Sequence, residues 1–256
     1  MIIEGMQMTV YVEVLLCVAL LVLIKRARSG KKVPVIHKIP GLDALDEAIG
    51  RATELGRPVV FAPGFADLQN AQTFAAMSIL GYTARTCAKY DTRIVVANGL
   101  TMVYPVAAAI TRQAFMSVGK GDRYNENDVR FFSEQNWAWA SGTAGVMMRE
   151  KAAACVMIGA FYAESLFMAE VGNTIGAIQI AGTSNVAQIP FFVAACDYTL
   201  LGEEIFAASA YLSRDPVTTS GLIVQDWGKM FGLAIIVIGA LMVTFGNDAL
   251  LKLMDL

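Results

Sequence analysis

Residues 40–64 read PGLDALDEAIGRATELGRPVVFAPG, and this stretch decides the fold. Pro40 and Gly41 open it. Leu42, Leu45, Ala48, Ile49, Ala52 and Leu55 then recur at helical spacing on one face, and Gly56 closes the run. PVVFAPG (58–64) comes next as a short, continuously apolar strand running into a turn. A strand that is apolar on both faces must be covered on both faces, which is the condition of a parallel sheet between helices.

Downstream the same alternation continues. Residues 67–90 read as a helix, RIVVANG (93–99) as a second strand, and VYPVAAAITRQAFMSVG (103–119) as a helix that tolerates Pro105 in its first turn. ENDVRFFSEQNWAWASGTAGVMMREK (126–151) reads as one longer helix, with Asn125 or Asn127 as its N-cap. AACVMIGAF (153–161) is a third strand, followed by the short helix YAESLFMAEVG (162–172). The apolar run 152–168 contains Glu164 and precedes Glu170, so a buried strand plus an amphipathic helix describes it better than a membrane span. AIQIAGT (177–183) and QIPFFVAAC (188–196) are the last two strands, and GEEIFAASAYL (202–212) is the final helix. About five residues separate those two strands, too few for a parallel crossover, so they are expected to pair antiparallel or to bend apart. The pattern predicts an α/β fold: a mainly parallel sheet sandwiched by helices, Rossmann-like.

Two apolar segments flank this domain. MTVYVEVLLCVALLVLI (8–24) is followed at once by KRARSGKK. A cleaved signal peptide would carry its positive charges before the apolar run, so the order here reads as an uncleaved anchor. The second segment is WGKMFGLAIIVIGALMVTF (227–245), in which Trp227 and Lys229 read as interfacial anchors at its start and Gly232, Gly239 and Ala240 offer small surfaces for close helix approach. The expected organisation is a short tail (1–7), a transmembrane helix (8–24), a basic linker (25–39), the α/β domain (40–226), a second transmembrane helix (227–245) and a C-terminal tail (246–256). Lys25, Arg26, Arg28, Lys31, Lys32 and Lys38 cluster just after the first span, which places the domain in the cytoplasm beneath the cell membrane and permits contact with anionic lipid. Glu13 falls inside the first span. It is either a carboxylate paired in a helix bundle or lining a proton path, or a residue near the outer headgroups of a short span; the second is the plainer reading.

Composition excludes several functions. Hydrophobic residues make up 56% and charged residues 16%, with mean hydropathy +0.53, well to the apolar side of a soluble domain. A net charge of −2 carries no nucleic-acid footprint. Cys17, Cys87, Cys155 and Cys196 lie far apart in apolar surroundings, as buried thiols do in a reducing compartment. A single histidine, His37, cannot build a multi-histidine metal centre. Neither G-x-G-x-x-G nor G-x-x-x-x-G-K-[ST] occurs, so a dinucleotide or P-loop nucleotide site has no support, and the identity of any cofactor is left unknown.

The strings AIGRATELGRPVVFAPG (48–64), AESLFMAEVGNTIGAIQIAGT (163–183) and QIPFFVAACDYTLLGEEIFAASAYLSRDPV (188–217) resemble the bacterial and archaeal membrane family catalogued as domain of unknown function 6754. The resemblance covers roughly residues 40–230. It implies a membrane-associated protein and brings no activity and no catalytic residue with it.

Ligands of open α/β sheets gather beyond the carboxyl ends of the strands. That rule selects Gly64, Asn98, Gly99, Glu164, Thr183, Ser184 and Asp197 as candidate ligand-binding residues. Glu203 and Glu204 are better explained as caps of the final helix. Glu164 and Glu170 are explained better by pairing with Arg149 or Arg214 than as catalytic acids, and Cys196 beside Asp197 lacks a base. The leading expectation is an oligomeric membrane scaffold whose partners are lipid and further copies of itself. The alternative is a small-ligand sensor or enzyme using the strand-end cleft.

Overall fold

The structure, a computed structural model, describes residues 7–28, 40–213 and 216–244. It divides into two compact units. One holds helices α1 (Gln7–Arg28) and α9 (Pro216–Thr244); the other is the α/β domain, His37–Ser213.

The domain is a six-stranded sheet in the order β3-β2-β1-β4-β5-β6, built from β1 (Val59–Gly64), β2 (Ile94–Asn98), β3 (Val129–Phe131), β4 (Ala154–Ala160), β5 (Ile178–Thr183) and β6 (Tyr198–Leu201). Every neighbouring pair is parallel. This is the doubly wound order of dinucleotide-binding sheets, which reverses direction between β1 and β4.

The two-residue period of each strand explains how the sheet is covered. Val59, Phe61, Ile94, Val96, Ala154, Val156 and Ile158 point into one core. That core is closed by α2 (Pro40–Leu55), α3 (Ala71–Lys89), α4 (Val103–Ser117) and α8 (Glu204–Ser213). The intervening residues Val60, Val95, Cys155 and Met157 face the opposite layer of α5 (Asn136–Arg149), α6 (Glu164–Thr174) and α7 (Ile189–Ala195). The face of α2 read from the sequence is buried as expected, except that Leu55 is exposed.

Two expectations are corrected. Residues 126–151 are not one helix. The Asn125 side chain accepts the Asn127 N–H and sets a 3-10 turn over Glu126–Asp128. Val129–Phe131 then joins the sheet beside β2, and the helix starts only at Asn136. Residues 188–196 are not a strand. Pro190, which suits a first helical turn, opens the seven-residue α7, and the missed strand β6 lies just beyond it. With α7 as the crossover, β5 and β6 pair parallel instead of antiparallel. Short apolar runs do not distinguish strand from helix by periodicity.

In the other unit, α1 and α9 pack on each other. Half-buried residues of α1 recur at Val12, Leu16, Ala19, Leu20 and Leu23, and those of α9 at Gly228, Gly232, Ile235 and Gly239. A Cβ added at Gly228 would stand 3.8 Å from Leu16 Cδ2. Gly228 and Gly232 form a G-x-x-x-G pair on the packed side of α9, while Ala240, expected among the small contact residues, is exposed. One helix of the described residues, Val217–Thr244, is long and apolar enough to cross a membrane. That span lies in α9, which begins at Pro216, before the apolar stretch that opens at Trp227.

Candidate functional site

Six of the seven candidate residues lie along the carboxyl edge of the sheet. Asn98 and Gly99 are at the end of β2, Gly64 at the end of β1, Glu164 just beyond β4, and Thr183 and Ser184 at the end of β5. Asp197 does not join them. Because residues 189–195 are helical, Asp197 precedes β6, at the opposite edge, where Oδ2 accepts the Gln179 N–H at 2.8 Å as β5 begins.

The carboxyl edge is built to hold itself together. Between β1 and β4, where the strand order reverses, backbone meets backbone: the Phe65 N–H donates to the Ala160 carbonyl at 2.7 Å. Gly64 (φ +80°) and Gly159 (φ +144°) make this approach possible. A Cβ would come within 2.5 Å of the Ala160 oxygen at position 64, and within 2.1 Å of the Pro63 oxygen at position 159. Above this seam the space is filled by rings. Trp139 is fully buried, donates from Nε1 to the Ala97 carbonyl at 3.0 Å, and stands 5.5 Å from Phe65 and 6.0 Å from Phe161 by ring centroids. Phe192 meets Phe161 edge-on at 5.2 Å. Gly99 lacks a side chain because these rings occupy its space: a Cβ there would be 2.6 Å from the Phe65 ring and 2.9 Å from Trp139.

Three of the polar candidates, Thr183, Ser184 and Glu164, are committed to turns. Gln72 Oε1, from α3, accepts the Ser184 N–H at 2.8 Å and the Thr183 hydroxyl at 3.2 Å. Asn185 donates to the Phe161 carbonyl at 3.1 Å. Glu164, buried, accepts the Tyr162 N–H at 2.9 Å and closes the turn into α6. Neither Glu164 nor Glu170 pairs with Arg149 among the described residues, and Arg214 lies outside them. Glu204 accepts the Leu201 N–H, as a helix-capping carboxylate should. Asn98 is fully buried and donates to the Arg130 carbonyl at 3.3 Å; its Oδ1 has no partner among the described residues. Burial pushes the Cys87 and Cys155 thiols up, and raises Cys196 to about 12, with Asp197 adding to it. All of these thiols stay protonated and unreactive at neutral pH. No metal-ligating cluster occurs among the described residues.

Sequence reasoning missed Gln72 and the aromatic filling. Trp139 and Phe161 are visible as apolar letters, but nothing in their spacing says that they meet above a strand end. Three cavities open away from this edge. One of about 590 Å³ runs along the outer side of α3 between Phe74, Tyr82, Ile110 and Leu212. Another, of about 610 Å³, lies on α4 around Tyr104 and Arg112. The third, about 260 Å³, sits at the amino edge among Arg93, Phe115, Arg123, Tyr124 and Asp128.

At that amino edge Arg93 pairs with Asp128 and with Glu150 at 2.9 Å, and Arg130 reaches Glu150 at 3.1 Å. The Arg93 guanidinium holds the Glu150 carboxyl below the ordinary glutamate range, with Arg130 adding to it. A depressed folded-state value contributes stability above the unfolded value of 4.5, and that contribution is lost as pH falls through the depressed value. Glu150→Gln should therefore flatten the acid limb of the stability curve. Denaturant midpoints in mild detergent at successive pH values between neutrality and acid check this; an acid limb identical to the unaltered protein's would remove Glu150 from the linkage.

Fold and edge together define a doubly wound parallel α/β domain whose reversal point is closed by its own side chains. The family model described as a domain of unknown function (DUF6754) matches residues 2–254, and the chain belongs to that family. No curated protein and no solved structure matches it.

Proposed function

We propose that this protein is a membrane-anchored, self-associating scaffold: α1 and α9 cross the bilayer as a pair, and the α/β domain faces the cytoplasm to hold copies together beneath it. One observation carries this reading. The crevice where a sheet of this order takes a ligand is occupied by Phe65, Trp139 and Phe161, and Thr183, Ser184 and Glu164 beside it are committed to turns. A domain that retains the architecture of a binding fold while filling its binding crevice is better suited to presenting surfaces than to turning over a substrate.

Supporting features come from both units. The 29-residue α9 carries an unbroken apolar stretch after Lys229, and the α1–α9 contact includes small residues, which suits association in lipid. The basic cluster after residue 24 favours the cytoplasmic side for the α/β domain. The domain also exposes Phe74, Met116, Trp137, Met148 and Val193, more large apolar side chains than solvent alone favours.

Full-length protein in membranes tests the reading. The chain should resist alkaline carbonate extraction, and a cysteine placed at Gly121 should react with an impermeant reagent only after lysis. In mild detergent its mass should exceed that of one chain. Release by carbonate, labelling in intact cells or a monomeric mass would each count against the proposal.

A further inference from the structure

We propose that the outer face of the α5–α6–α7 layer binds the same face of a second copy of this chain across a two-fold axis, Arg149 of each copy meeting Glu170 of the other. The inference rests on the reading of the protein as self-associating and names the surface through which it does so. α5, α6 and α7 lie side by side over the sheet, and their inner sides close the core through Trp139, Met168 and Phe192. Their outer sides are unlike a solvated surface. On α5 and α6 the exposed large side chains are Trp137, Met148, Leu166 and Phe167, and α7 adds Phe191 and Val193. The Trp137 and Phe167 rings stand 6.3 Å apart, so the patch passes from one helix to the next.

Helix α2, in the opposite layer, has the outer face that water favours: its exposed positions include Asp46, Glu47, Arg51 and Glu54. The three helices α5, α6 and α7 together expose only Arg149 and Glu170 among charged side chains. A large apolar face of this kind marks a contact with another macromolecule. At 1.5 Å of rise per residue α5 is about 21 Å long, and three helices side by side are about 30 Å wide, so the face covers roughly 600 Å². Two copies would bury about 1,200 Å² in total, the lower bound for a specific interface.

The two charges identify the occupant. Arg149, at the end of α5, lies across Gly145, its Nη1 2.9 Å from where a Cβ would stand, and no acid reaches it among the described residues. Glu170, one turn past Leu166 and Phe167 on α6, has no cation among them either. A two-fold axis exchanges the two positions, so one symmetric arrangement forms the Arg149–Glu170 pair twice. It takes no charge from an existing pair, since Glu150, the neighbour of Arg149, stays with Arg93 and Arg130. Such pairs set the register of an interface, while apolar side chains at its centre supply the affinity. An anionic lipid surface would call for an excess of cations, and this face carries one charge of each sign. A foreign protein would need both complementary charges in place; a second copy supplies them by symmetry.

The test uses full-length protein in mild detergent. Two differently tagged copies are co-expressed in a background of Cys17→Ser and Cys196→Ser, one with Arg149→Cys and the other with Glu170→Cys. A short bismaleimide should join the two tags, and the parent lacking both engineered cysteines should give no such product. Separately, with the native cysteines in place, Arg149→Glu and Glu170→Arg should each make the dimer dissociate about tenfold more readily, and the two changes in one chain should restore association. Absence of between-tag product, unchanged dissociation in both reversed variants, recovery of a different protein cross-linked to Glu170→Cys, or shielding of that cysteine from maleimide in nanodiscs holding a single copy would overturn the inference. Molecular mass measured in parallel separates the two levels. A monomeric chain removes the self-associating reading and this inference together, whereas a chain that associates but gives no between-tag product removes this inference alone.

Discussion

Gly159→Ala is expected to cost the domain roughly 4 kcal/mol, from about 1–3 kcal/mol of backbone strain and a similar amount of overpacking. Position 159 sits at φ +144°, where a side chain is strained whatever the space. Its Cβ would stand 2.1 Å from the Pro63 oxygen and 2.8 Å from the carbonyl carbon. Both neighbours are backbone, so no rotamer change relieves the clash; β1 and β4 must separate at the point where their register already shifts between Ala62 and Gly64. Gly50→Ala is the matched control. Gly50 lies within α2 with nothing inside 4 Å of an added Cβ, so the substitution should be neutral or stabilising by up to about 1 kcal/mol. Denaturant midpoints at constant slope, in mild detergent, compare the two. If Gly159→Ala melts with the unaltered protein, the close approach of β1 and β4 is wrong.

The same contrast between local and distant determinants explains what the sequence disclosed. PVVFAPG and RIVVANG announce themselves as strands because each is a short, continuously apolar run ended by glycine, a signal held within seven consecutive residues, although what makes Gly64 and Gly99 necessary lies far off in the chain, at Ala160 and at the Phe65 and Trp139 rings. The helix of residues 40–55 is legible for the same reason: its buried face repeats within its own length. The three-residue β3 is not legible, since its pairing depends on a neighbouring strand more than thirty positions earlier in the chain. The reading of 188–196 failed because IPFFVAA satisfies strand and helix equally, and Pro190 decides only once a turn precedes it. That single error carried Asp197 to the wrong edge. The strand-end rule located the right edge of the sheet, but whether a crevice is open depends on Trp139 of α5 and Phe192 of α7, whose meetings with Phe65 and Phe161 leave no periodic trace.

Trp139→Ala should cost about 4 kcal/mol, in the range for removing a large buried aromatic. It should also convert the closed reversal point into a small apolar cavity. The indole is fully buried, touches the Phe65 and Phe161 rings, and is held by its hydrogen bond to Ala97. Trp139→Phe keeps most of the volume and should lose less than half as much, since a single neutral hydrogen bond contributes about 1 kcal/mol. An apolar cavity stays dry and accepts a ligand of matching shape, so indole or benzene should raise the melting temperature of Trp139→Ala. Neither compound should shift the unaltered protein, in which the tryptophan already occupies the space. These outcomes separate the two functional readings at the residue where they diverge. If the unaltered crevice is closed, adenine nucleotides and small aromatics leave its stability unchanged, and only the truncated variant gains a site. A rise in the melting temperature of the unaltered protein with such a compound, abolished by Trp139→Ala, would mean that the rings part to admit a ligand. The small-ligand sensor would then displace the scaffold, because the observation supporting the scaffold is this filling and nothing else at the edge replaces it.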